Sequence, residues 1–267
     1  MTNIHLPAYT HEQRVTRLRV IASEWTKLRS LLSTIWCLAA AVALVVGVGL
    51  AYAGLRVARP PADPSVFDST AVSLAGVQLA QLAIGTLGVL LITGEYATGS
   101  IRVSLAAVPD RLTMLWGKAV TFGLSTLLLA APAVLVAFLA GQSILAAESL
   151  DIGLGEPGVL RAVLGSALFL TAVGLLGLGL GALLRNTAAA MSALFGLLFA
   201  PQLVLGLVPE SMSDAVYRYL PTPAGAAVSN VYRDPDTLAP WVGFGLFCLY
   251  TAIVLGLAAW QLRRRDV

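Results

Sequence analysis

The chain has 267 residues, of which 58% are apolar and only 12% charged, with a mean hydropathy of +0.84. That balance excludes a water-facing globular surface and describes a polypeptide built for lipid. The formal net charge of +3 is spread over many short segments, so it gives no support to nucleic-acid binding.

Charges fall in blocks, and between them lie uncharged stretches at 30–55, 69–94, 119–147, 162–184, 186–209 and 237–262. A hydrocarbon core of about 30 Å needs roughly 20 helical residues at about 1.5 Å rise each, so every stretch is long enough to cross. The runs are continuously apolar rather than alternating, which predicts helices and not a β-barrel. The expected fold is therefore an all-α integral membrane protein with six transmembrane helices. It forms a single domain over 1–267, with a tail and amphipathic helix over 1–32, the six-helix domain over 33–262 and a short tail over 263–267.

Lys and Arg set the expected orientation. With the N-terminus in the cytoplasm, Arg14, Arg17, Arg19, Lys27, Arg29, Arg102, Arg111, Lys118, Arg185, Arg263, Arg264 and Arg265 are inside, which is 12 of the 17 basic residues. Both termini are then cytoplasmic. Nine of the 14 acidic residues fall outside, in keeping with this.

From Arg14 a basic amphipathic helix is expected, with Val15, Leu18, Ala22, Trp25 and Leu32 at helical spacing and Arg14, Arg17, Glu24, Lys27 and Arg29 mostly around the rest of the axis. Trp25 suits a helix lying in the membrane interface, although a solvated positive flank that only fixes topology has the same composition. Ala51, Tyr52 and Ala53 mimic a signal-peptide cleavage site, but the preceding apolar run is longer than an h-region and is read as a retained span. Arg56 to Asp68, with Pro60, Pro61 and Pro64, reads as an irregular outer loop. Arg185, Asn186 and Thr187 are nearly all that separates the fourth and fifth spans, which predicts a tight helical hairpin. Beyond Pro209, the residues Met212, Val216, Tyr219 and Leu220 recur at helical spacing until Pro221 and Pro223, which are expected to break a short outer helix; a plain loop fits equally well.

Reactive groups are sparse. No Gly-x-x-x-x-Gly-Lys-Ser/Thr loop exists, since the one Gly-Lys pair, Gly117 and Lys118, is followed by Ala119, so ATP hydrolysis is not expected on this chain. The histidines, His5 and His11, precede the first span and leave no base at depth for a zinc protease or a Ser/His hydrolase. Gly153, Gly155 and Gly158 match a dinucleotide fingerprint, but Pro157 lies inside it and no strand precedes it. Cys37 and Cys248 sit within the first and last spans and read as small buried residues rather than a disulfide or metal site. No catalytic residue, metal site or cofactor is expected on the chain itself. Ion-coupled carriers place ionisable groups within the membrane, and none of the six stretches has one. An ion-coupled secondary transporter is thereby disfavoured against a protein driven by a partner; a non-transporting anchor or sensor stays open.

The segment from Gly94 to Lys118 reads GEYATGSIRVSLAAVPDRLTMLWGK. Glu95 stands at the expected membrane edge, where burial demands a basic or hydroxyl partner. Thr98 or Ser100 can cap a short helix running to about Ala107; Pro109 stops it, and Asp110 can cap the next. GEYATGSIR, VPDR with Lys118 downstream, SEWTKLRS over Ser23 to Ser30, and the terminal LRRRDV together resemble the permease subunits of type-two ABC exporters, over essentially the whole chain. The resemblance implies a cytoplasmic coupling helix near Thr98 to Arg111 that docks into a separate ATPase subunit, with Glu95 and Arg102 fixing the elbow. It also implies ATP-Mg bound by that partner, a second permease chain in a homo- or heterodimer, the cytoplasmic membrane, and export of a hydrophobic or amphipathic compound. Gln78 and Gln81, at i and i+3 on the second span, with Thr86, Thr171, Ser192 and Gln202, are either a substrate path or interhelical hydrogen-bonding groups. Gly177 and Gly181 form a Gly-x-x-x-Gly step that close helix packing explains.

Overall fold

The computed structural model describes residues 17–59, 67–101, 111–207, 216–232 and 237–264. The described residues are helical and contain no strand. Among the described residues six helices are long and apolar enough to cross a membrane, as the charge blocks predict. The expected elbow helix beyond Ile101, Asp110 as its successor's cap, Arg102, the outer helix at Met212 and the terminal residues 265–267 lie outside the described residues.

Helix α1 (Arg17–Ser30) ends where Leu31 turns extended, and α2 (Leu32–Ala58) begins the first span. The second span differs from a single uncharged run. Asp68 caps α3 (Ser69–Ser73) by accepting from the Ala71 N–H, a short turn follows, and α4 (Val77–Ala97) makes the crossing. The turn exists because α2 presses on it. A Cβ on Gly76 would strike the carbonyl oxygens of Leu44 and Val45, and one on Gly49 would strike that of Ser73. Polar groups at this break are satisfied from the third span. Gln142 donates to the Ser69 carbonyl and to Ser73 Oγ, both at 3.0 Å, and accepts from the Ile152 N–H at 2.8 Å.

Helix α5 (Arg111–Leu145) is 35 residues long, roughly 50 Å, and so extends well past the hydrocarbon on the termini side. Helix α6 (Val159–Leu184) is the most buried span and stands at the centre, with α4, α5 and the last span packed around it. Its hairpin with α7 (Thr187–Leu205) is as tight as expected: Arg185 takes the left-handed conformation at φ 55°, and the Asn186 side chain caps α7 through the Ala189 N–H at 3.0 Å.

The outer segment adds to one expectation. Val216 and Tyr217 are helical and the chain turns before Pro221, but Pro221 also begins a helix of its own. With φ already fixed and no N–H to satisfy, it suits the first turn of α8 (Pro221–Ala226), which continues into a 3₁₀ turn over Ala227–Ser229. This piece folds back into the protein: Thr222 donates to the Leu198 carbonyl at 2.7 Å, and Arg161 donates to the carbonyls of Val228 and Asn230 at 3.0 and 2.9 Å. Helix α9 (Pro240–Arg264) closes the domain, its Phe247 ring 5.5 Å from that of Phe169.

The tightest crossing joins α4 to α6. A Cβ on Gly88 would overlap the Gly174 carbonyl oxygen, one on Gly177 would overlap that of Gly85, and one on Gly181 would come within 2.7 Å of Ile92 Cγ2. The Gly177 and Gly181 step is thus a backbone-to-backbone seam, as its spacing predicts. Gly177→Val is expected to destabilise the protein by about 1–3 kcal/mol through overpacking. Gly47→Ala, where a Cβ meets nothing within 4 Å, is expected to leave stability unchanged or slightly raised; thermal unfolding in one detergent compares the two.

Candidate functional site

Two spans end side by side on the face that carries both termini, and α1 lies across them. A Cβ on Gly117 of α5 would meet Val20 Cγ1 at 2.8 Å, so α1 approaches α5 closely at that point. Thr121 donates to its own helix at the Gly117 carbonyl, 2.8 Å away. Among the described side chains of α1, Val20, Glu24 and Leu28 are buried, at successive i, i+4 positions, while Trp25 is left 45% exposed. Helical spacing alone puts Glu24 on the polar side; instead it is buried on α5, because a cation waits there.

That cation is Lys118, only 1% exposed. Its Nζ donates to Glu24 Oε2 at 2.5 Å and to Glu95 Oε1 at 2.9 Å. Lys27 closes the ring from the rim, donating to Glu24 Oε1 at 2.8 Å and to Glu95 Oε1 at 3.2 Å. Two lysines and two carboxylates from α1, α4 and α5 therefore form one neutral cluster. The expectation that Glu95 needs a basic or hydroxyl partner is met twice, both times by a lysine. Burial alone would raise the Glu24 carboxyl, but Lys118 first and Lys27 second more than offset it, and the group is held below its ordinary value of 4.5. Burial would likewise lower Lys27, yet Glu24 and Glu95 keep it above 10.5.

The elbow begins one turn beyond. Thr98 caps the end of α4 rather than starting the next helix: its Oγ1 donates to the Gly94 carbonyl at 2.9 Å and lies 2.9 Å from Ser100 Oγ. Gly99, at φ 71°, reverses the chain, and Ser100 and Ile101 are again helical. Ile101 is 2% exposed and anchors the start of this turn. Arg102 lies outside the described residues; Arg111 opens α5. From the other side the α6–α7 turn joins in. The Arg185 guanidinium sits 5.4 Å over the Tyr96 ring, and Thr187 donates to Thr93 Oγ1 at 2.9 Å.

A family model described as ABC-2 family transporter protein matches residues 21–267. The chain belongs to this family. No curated protein matches it. It is a multi-pass membrane permease of an ABC-type transporter, a class that works with an ATPase partner and is normally non-catalytic itself. The matched span begins just before Glu24 and so includes every member of the charge cluster.

Other polar residues of the permease's spans divide between two settings. Gln81 is fully buried and donates to the Gln78 carbonyl and side chain at 2.9 and 3.1 Å, and Thr171 donates back to Ala167 at 2.8 Å. Gln78 and Thr86 instead stand with Leu82 and Leu90 on the stripe of α4 that this chain leaves uncovered or half covered. Gln202 is half-buried on α7 and Ser192 exposed there. Glu24, Lys27, Lys118, Gln142 and Arg185 are residues to which the sequence alone gives no site role; an ionisable or amide group beside an apolar run is the available signal.

Lys118→Met leaves two carboxylates buried against one rim lysine and is expected to cost about 3–5 kcal/mol. Adding Glu24→Gln to Lys118→Met is expected to recover part of that loss, which a double-mutant cycle on thermal stability measures. The pH dependence follows from the shifts. A depressed Glu24 holds its contribution in full above 4.5 and loses it as pH falls through the lowered value, whereas Lys27 contributes below 10.5 and fails only as pH rises through its raised value. Protection of α1 from proteolysis is therefore expected to stay level between those limits and to fall outside them.

Proposed function

We propose that the permease exports a hydrophobic or amphipathic compound across the cytoplasmic membrane, driven by ATP-Mg that a separate subunit binds and hydrolyses. The observation that carries this reading is the charge cluster one turn inside the elbow. Any force applied to residues 98–111 meets α4 and α5 at the point where Glu95 and Lys118 tie them to each other and to α1. In this reading Thr98, Arg102 and Arg111 face the ATPase subunit, and Glu95 sets the angle of the elbow. One oxygen of Glu95, Oε2, is buried without a hydrogen-bond partner, leaving an acceptor at the joint.

Both termini are proposed to be cytoplasmic, which follows from the excess of basic residues on their side. The contact between Tyr96 and Arg185 supports one face for both the elbow and the α6–α7 turn. Two permease chains and two ATPase subunits form the assembly. A second chain has a place to go, because α4 carries Gln78 and Thr86 on a stripe that one chain leaves open, and polar atoms facing lipid are costly. With Gln202, and with Gln81 behind them, these residues would line the cargo route between the two halves. Export follows from two packings of those halves, biased by the partner's nucleotide state.

Glu95→Ala and Arg102→Glu are each expected to leave membrane insertion intact and to lower cargo-stimulated ATPase activity of the co-purified complex about tenfold, equivalent to about 1.4 kcal/mol of lost coupling. Active transport by the purified chain without any ATPase subunit would overturn the proposal. So would cysteine labelling that placed residues 102 and 185 on opposite sides of the membrane.

A further inference from the structure

Beneath α1, where it crosses the start of α2 and the middle of α5, lies a cavity of about 210 Å³. Its wall is formed by Trp25, Leu28, Ile35, Leu38, Phe122 and Leu129. Thr34 and Ser125 also stand on the lining, Ser125 Oγ already donating to the Thr121 carbonyl at 2.6 Å, and most of the remaining surface is apolar. The cavity is open to the side: Trp25, Ile35 and Leu129 line it and are 45%, 51% and 42% exposed, and their neighbours Leu32 and Trp36 are each 72% exposed. Ile35 and Leu38 lie within the first two turns of a span, so the opening faces lipid within about 10 Å of the end of α2.

Two polar features mark what occupies it. Arg29 stands on the lining, exposed, with no carboxylate paired to it among the described residues. Among the described residues the carboxylates nearby, Glu24 and Glu95, are taken by Lys27 and Lys118. Deeper in, Thr126 is 1% exposed and its Oγ1 has no hydrogen-bond partner. A pure hydrocarbon would leave both groups unanswered. An anionic phospholipid answers both kinds of need, with a phosphate for the guanidinium and ester carbonyls as acceptors in an otherwise apolar setting.

We infer that this cavity is a binding site for one anionic phospholipid of the leaflet on the termini side, an acyl chain lying under α1 and the headgroup held by Arg29. The site is separate from the open stripe of α4 and stands whether or not the cargo route runs there. Its consequence is positional. The lipid fills the space on one side of Leu28 while the charge cluster holds the adjacent face of α1, so α1 keeps its place only when both are present.

Trp25 reports on the site directly. In a chain with Trp36, Trp116, Trp241 and Trp260 changed to Phe, Trp25 is the sole indole, and all four replaced rings are more than half exposed. The complex carrying this chain is reconstituted in vesicles of zwitterionic phospholipid containing a low fraction of either brominated phosphatidylglycerol or brominated phosphatidylcholine. The expected result is quenching of Trp25 by the anionic lipid at roughly fivefold lower mole fraction than by the zwitterionic one, the preference that one arginine confers near a membrane surface. Arg29→Gln is expected to abolish that preference, and Leu129→Phe, which narrows the mouth, to weaken quenching by both lipids. Equal quenching by the two lipids in the Trp25 chain, following their bulk fractions, would overturn the inference. A preference that survives Arg29→Gln would overturn the headgroup assignment.

Discussion

A lysine with almost no exposure at the base of a membrane helix is the constraint from which the rest of this permease follows. Lys118 cannot be left alone in that position, because an isolated buried ammonium costs far more than one membrane helix can offset. Glu24 and Glu95 neutralise it, and they come from different elements. Satisfying one charge therefore fixes the positions of α1, α4 and α5 together. Lys27 balances the second carboxylate, so the cluster adds no net charge to the membrane edge. An ion pair of this kind is weak as a source of stability but strong as a source of position, since every alternative register of α1 leaves a bare charge.

The same rule operates at the opposite face, where the groups in need are backbone carbonyls and amides. Lipid offers nothing to a broken helix, so the interruption between α3 and α4 needs internal donors, and Gln142 supplies them. Arg161 does this for the return segment, taking the carbonyls of Val228 and Asn230. In each case a long side chain on a continuous span satisfies backbone groups on an irregular one. Regular helices carry the irregular pieces, and polar residues mark where.

Much of this architecture was legible because hydropathy and charge act over whole segments. The six spans, the hairpin at Arg185 and the close seam at Gly177 follow from length, spacing and residue size. What escaped depends on a partner distant in sequence. Glu24 looks solvated by its helical neighbours, and only Lys118, 94 residues away, makes it a buried group. Pro221 reads only as the breaker of the stretch before it, yet it is also the N-terminal residue of the helix after it, which Thr222 ties to the Leu198 carbonyl. The need of Glu95 for a basic or hydroxyl partner was legible from its place at the membrane edge, but that the partners are Lys27 and Lys118 was not.

Helix α5 then has a particular mechanical standing. Near one end Lys118 binds it to α4 through Glu95; near the other Gln142 binds it to the α3–α4 break through Ser69 and Ser73. Helix α4 is in turn stitched to α6 along Gly85 and Gly88, where the backbones touch. Three helices clamped in this way cannot absorb a displacement by sliding past one another. Pro132 lies between the two clamps on α5, where the missing N–H removes the hydrogen bond to the Leu128 carbonyl and makes bending cheapest. A push arriving at the elbow would therefore turn the termini-side halves of α4 and α5 as one body. The part of α5 beyond Pro132 can lag behind, and that is the asymmetry a helix bundle needs in order to open on one face at a time.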